Sequence, residues 1–162
     1  GGADGAADDA APPADRFGEV MRAFVDAASA QRAEVQAAAA ALSEHGTCIG
    51  LTADLGSEAG CTALFAEISS REEKLDVLIN NAGANWGAPL AEFPDSAWDK
   101  VLALNVKGVF HLTRLCVDLL AAASSPEDPA RVINVGSIDG IHVPELETYS
   151  YSASKAKISD KI

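Results

Sequence analysis

The segment Leu75-Asp76-Val77-Leu78-Ile79-Asn80-Asn81-Ala82-Gly83 decides the fold. Glu72-Glu73-Lys74 precede it, and its centre is a continuous apolar run. Such a run suits a strand covered on both faces, as in a parallel sheet. The sudden change to Asn80-Asn81-Ala82-Gly83 puts small and polar residues at the strand's carboxyl end, where open α/β sheets bind their ligands.

Downstream, Arg131 to Val135 repeats the pattern and runs into Gly136-Ser137. Upstream, Thr47 to Ala53 reads as another short strand, ending in Asp54-Leu55. Helical stretches separate these strands. One runs from about Ser57 to Glu72, with Ser57 as N-cap. Pro94-Asp95 opens a longer one that reaches about Ala123 and stops at Ser124-Ser125-Pro126. The loop from Gly136 to Glu147 leads into a last helix expected to continue to Ile162. Nearer the N-terminus, Phe17, Val20, Met21, Phe24, Val25 and Ala28 follow helical spacing, which Val35, Ala39 and Leu42 resume before a stop at Gly46. The alternation predicts an α/β layer fold with parallel strands, flanking helices and right-handed crossovers. Residues 15–162 read as one domain. Residues 1–14 hold only Gly, Ala, Asp and Pro and are expected to be disordered.

The composition agrees with an ordinary globular chain, 48% hydrophobic and 22% charged over 162 residues. No apolar run is long enough to span a membrane, and no secretory pattern is present, so the expectation is a cytoplasmic protein without membrane contact. A net charge of -12 argues against a nucleic-acid partner. Cys48, Cys61 and Cys116 lack a CxxC pairing and read as reduced thiols rather than metal ligands.

Chemistry gathers at the strand ends and just beyond. Tyr151 and Lys155, in Tyr-Ser-Ala-Ser-Lys, stand four apart and share a helix face. A phenol with an ordinary pKa near 10 is a poor base at neutral pH, and a neighbouring ammonium favours its ionised form. Ser137 can offer a hydrogen bond to a substrate oxygen. Such a trio polarises a carbonyl and moves its proton. Taken alone, the Tyr-x-x-x-Lys pair is equally a solvated helix face.

The whole set resembles the short-chain dehydrogenases/reductases. Asn80-Asn81-Ala82-Gly83 is similar to their Asn-Asn-Ala-Gly segment, Leu104-Asn105-Val106 to their catalytic-Asn segment, and Val132 to Ser137 to their catalytic-Ser strand. Tyr151 and Lys155 match their active-site pair, fourteen residues after Ser137, and Ala53-Asp54-Leu55 resembles the segment beside the adenine. The resemblance implies a partial Rossmann-like, doubly wound parallel sheet with flanking helices over residues 15–162, an NAD or NADP cofactor, and an alcohol or ketone substrate. It implies Tyr151 as general acid/base, Lys155 as the group that lowers its pKa and binds the nicotinamide ribose, and Ser137 as the substrate-orienting hydroxyl. Asn105 would interrupt its helix and hold a relay water. Asn81, Ala82 and Gly83 would lie against the cofactor, and Asp54 and Leu55 would flank the adenine. No metal is implied.

Plainer readings stand beside these. Asn105 is equally a bend residue and Asp54 a turn or cap residue. Trp86 and His142 suit a substrate pocket or simple packing and exposure, and Asp139, two residues past Ser137, suits a substrate contact. The family's glycine-rich phosphate loop is unmatched: Gly1, Gly5 and Ala7 only echo its spacing, with no strand before them. The strand that usually selects NAD or NADP is also unmatched. The chain ends seven residues after Lys155, which bears on the long helix and active-site helix as a homo-oligomer interface. Three functions follow: an oxidoreductase, a non-catalytic remnant acting through protein association, or an unstable product.

Overall fold

A computed structural model of the chain describes residues 32–156. The expected disorder of 1–14, the Phe17–Ala28 stripe and the Gly1/Gly5/Ala7 echo lie outside these residues. The first described element, α1 (Arg32–Leu42), turns Val35 and Ala39 inward, as the spacing predicts. Helix α2 (Glu58–Ser69) begins at Ser57, whose side chain accepts from the Gly60 N–H at 3.1 Å and satisfies one orphan donor of the first turn.

Two strands pair in parallel: β1 (Val77–Asn80) and β2 (Arg131–Asn134), in the register Val77↔Arg131 to Asn80↔Asn134. Between them run α3 (Asp95–Leu102), a π-helical segment (Ala103–Gly108) and α4 (Val109–Ala123). A 3₁₀ turn (Ile138–Gly140) and α5 (Tyr149–Lys155) complete the described chain. The core lies between one sheet face and the helices. Cys61, Leu64 and Ile68 of α2 meet Leu78 of β1, Leu104, and Leu112, Cys116 and Leu120 of α4. The opposite sheet face carries Ile79 and Ile133 side by side, 57% and 46% exposed.

Thr47 to Ala53 is not a strand, which corrects the sequence reading. Three of its backbone groups bond to side chains of α1 and the turn after it, and none pairs with β1 or β2. Ser43 Oγ donates to Cys48 O and accepts from Cys48 N, both at 3.3 Å, and Gln36 Nε2 donates to Gly50 O at 3.0 Å. Gly50 packs so tightly that a Cβ there would stand 2.8 Å from Val35 Cγ1. The expected last helix also stops early, because Ala156 is extended (ψ 109°). Gly140 abuts the Lys155 carbonyl, the acceptor a further turn would need; a Cβ on Gly140 would overlap that oxygen.

Burial pushes the Cys116 thiol up from 9.0 to about 11, aided by the neighbouring Cys61. The folded state therefore holds this proton more tightly than the unfolded chain does. That contribution is complete below pH 9 and lost as the pH rises through 11. Between about pH 8 and 10.5, the parent chain is expected to lose roughly 2 kcal/mol more unfolding free energy than a Cys116→Ala variant. Denaturant titrations at the two pH values read the difference, and parallel losses would contradict the assignment.

Candidate active site

The strand ends are locked by a polar clamp centred on the buried Asn80. Asn80 Nδ2 donates to Asn134 Oδ1 at 2.8 Å across the sheet and to Thr113 Oγ1 of α4 at 3.1 Å. Asn80 O also accepts from Val135 N at 3.0 Å, one residue past the β2 ladder. Asn81 and Val135 thus leave the sheet together. The Val135 carbonyl receives Lys155 Nζ at 2.8 Å, which seats the ammonium over the sheet end.

Behind this end, the helix between the strands is interrupted at Asn105. The π segment displaces the usual i→i−4 pattern by one residue, a feature that recurs at functional sites. Asn105 is 2% exposed, and its amide is fully engaged. Oδ1 accepts from Ala84 N at 2.8 Å, and Nδ2 donates to Ala84 O and Ser154 Oγ, both at 2.9 Å. Ser154 Oγ donates onward to Tyr151 O at 2.7 Å. One side chain therefore ties the loop after β1 to the helix that carries Tyr151 and Lys155. Ala88 N to Glu147 O (3.2 Å) and edge-on contacts from Phe93 to Tyr149 and Trp98 hold the same loop from outside.

These ties shape a cleft of about 430 Å³ at the carboxyl ends of both strands, within the usual range for a small-molecule site. Asn81, Gly83, Ala84, Asn85, Val135, Gly136, Ser137, Asp139, Tyr151 and Lys155 line it. Ser137 Oγ accepts from Asp139 N at 3.2 Å and keeps its own proton for donation. The Tyr151 hydroxyl has no hydrogen bond among the described residues. Lys155 Nζ lies 5.7 Å from the Tyr151 ring centroid, and two of its three donors remain for other partners. The neighbouring Tyr149 differs. Its phenol is pushed up by partial desolvation, by the bond it donates to Glu147 Oε1 (3.1 Å) and by that carboxylate's charge.

Residues 16–160 match the family model described as short chain dehydrogenase. The chain belongs to the short-chain dehydrogenase family. A curated relative, the rhamnolipids biosynthesis 3-oxoacyl-[acyl-carrier-protein] reductase of Pseudomonas aeruginosa, is 44% identical over 117 residues, 72% of this chain and 46% of that protein. The solved RhlG/NADP active-site complex from Pseudomonas aeruginosa is similar at a TM-score of 0.77 and 43% identity, over 83% of this chain and 52% of that one. The NADH-dependent reductase A1-R′ complexed with NAD is similar at 0.72 and 30%, over 81% and 55%. This short-chain dehydrogenase chain spans about half the length of these relatives.

Of the residues singled out in the sequence, Asn81, Gly83, Ser137, Tyr151, Lys155 and Asp139 meet in the cleft of this short-chain dehydrogenase. Ala82 instead packs against the core, and Asn105 stands in the wall behind. Asp54 Oδ1 accepts from Gly56 N at 3.1 Å, the turn role named as its alternative. The Leu55 side chain is buried in the core. Trp86 and His142 are outside the cleft lining; Trp86 lies 5.9 Å from Lys100 Nζ. Ser154, Thr113, Asn134 and the Val135 carbonyl were not anticipated. Ser154 had a legible signal, since it is a small polar residue three positions after Tyr151 and directly before Lys155. No group of three or more metal-ligating side chains occurs among the described residues, and no described helix is long and apolar enough to cross a membrane.

Proposed function

We propose that this chain carries the catalytic portion of an oxidoreductase that interconverts a carbonyl and an alcohol with NAD or NADP. One observation carries the reading: Ser137, Tyr151 and Lys155 converge with Asn81 and Gly83 on a single cleft at the strand ends. The cleft fits the nicotinamide end of a dinucleotide. Gly136 leaves open space within 4 Å of where a Cβ would stand, and Lys155 has two donors left for ribose hydroxyls. When bound, the cofactor supplies or accepts the hydride.

The protein's own part is positioning and proton transfer. The Ser137 hydroxyl donates to the substrate oxygen and fixes its orientation. The unpartnered Tyr151 hydroxyl gives that oxygen its proton during reduction and removes it during oxidation. The Lys155 ammonium, held on Val135 O and 5.7 Å from the Tyr151 ring centroid, would place its remaining donors on the ribose hydroxyls beside that tyrosine. Asn105 enters as a positioning residue, because its amide is occupied by Ala84 and Ser154. Asp54 and Leu55 would border the adenine through the chain segment rather than the buried Leu55 side chain.

Fluorescence titration with NADPH and NADH tests the reading. Saturable binding is expected, weakened about tenfold or more by Lys155→Met, which removes a charged donor. Identical titrations of parent and variant would refute the assignment of Lys155. A second reading, association without catalysis, is favoured by the exposed Ile79–Ile133 face. It gains if neither cofactor binds and the folded chain self-associates.

A further inference from the structure

Asp139 is the one acidic residue lining the cleft among the described residues. It sits in the 3₁₀ turn directly after Ser137, and its backbone N–H is anchored on Ser137 Oγ at 3.2 Å. The hydroxyl proposed to meet the substrate oxygen therefore also fixes where Asp139 stands. The Asp139 carboxylate makes no hydrogen bond or ion pair among the described residues. Among the described residues the one cation lining the cleft is Lys155, whose ammonium rests on Val135 O and whose two remaining donors the proposed function gives to the cofactor ribose. With the cofactor bound, an anionic substituent near the reacting carbonyl would meet the like charge of Asp139 while the Lys155 ammonium is taken up by the ribose. In a partly enclosed cleft that repulsion is screened less than in bulk water. The neighbouring turn residues Ile138 and Ile141 are exposed and apolar, so they add no charge to offset it.

We propose that Asp139 determines substrate charge: the site takes carbonyl compounds that are neutral around the carbonyl and rejects those with a carboxylate or phosphate beside it. The proposal rests on the carbonyl–alcohol reading above and names the substrate class of that same cleft. Loss of the side chain's charge, with its shape retained, removes the discrimination.

Ligand-observed NMR with levulinate and its methyl ester, two ketones that differ in charge, measures it on the whole chain with NADP present. The ester is expected to bind about five- to tenfold more tightly than the anion, with a smaller ratio at high salt. In Asp139→Asn the ratio should fall to near parity, with folding verified by circular dichroism. Because the ratio is read within each protein, a general change in affinity does not mimic the effect. An unchanged ratio in the variant, equal binding of both ligands to the parent, or binding of neither overturns the proposal. The cofactor titration separates the two ideas. Failure of NADPH and NADH to bind, with the Asp139-dependent ratio intact, removes the oxidoreductase reading alone. Cofactor binding without the ratio removes this one alone.

Discussion

Tyr151→Phe is expected to lower carbonyl–alcohol turnover by about 10²- to 10⁴-fold, the range for loss of a positioned acid/base. The two tyrosines of the chain, Tyr149 and Tyr151, lie on the same short helix but in different surroundings. Tyr151 lines the cleft with Ser137 and Lys155. Tyr149 packs edge-on against Phe93 at 5.2 Å and donates to Glu147, whose charge disfavours its phenolate. Tyr149→Phe should therefore leave turnover within a few-fold of the parent. The phenylalanine at 151 retains the ring over which Lys155 sits, so circular dichroism and cofactor affinity should change little. Steady-state rates of both variants with one ketone decide the matter. Comparable losses in both would indicate a structural role for the helix rather than proton transfer by Tyr151.

Asn105→Ala should cost about 2–3 kcal/mol of unfolding free energy, because it strips partners from the half-buried Ala84 N–H and C=O and from the buried Ser154 hydroxyl. Unpaired buried groups each cost about 1–3 kcal/mol; Ala84 is only half-buried and Ser154 keeps its bond to Tyr151 O, which moderates the sum. The effect should also reach the cleft. Ala84 lines it, and Ser154 fixes the backbone carbonyl of Tyr151. Denaturant unfolding gives the stability loss, and amide exchange should report faster opening around Ala84 and along α5. A loss under about 0.5 kcal/mol would mean the amide's partners are readily replaced by water.

Much was determined by the sequence itself. The apolar runs at Val77 and Arg131, each ending in small polar residues, located both strands and the end of the sheet that holds the cleft. The reason is local: a period, a cap such as Ser57 and a pair such as Tyr151/Lys155 are set by neighbours a few residues apart. Elements that depend on distant partners were decided only by the tertiary structure. Thr47 to Ala53 has strand-like residues, yet it pairs with neither β1 nor β2, and Ser43 and Gln36 take up Cys48 N, Cys48 O and Gly50 O instead. The last helix stops where Gly140, fifteen residues upstream, abuts the Lys155 carbonyl. The seat of the Lys155 ammonium on Val135 O and the junction of Asn105 with Ser154 join residues 20 and 49 apart. No local pattern encodes such pairings, because they exist only once β1, β2 and α5 have been brought to one end of the sheet.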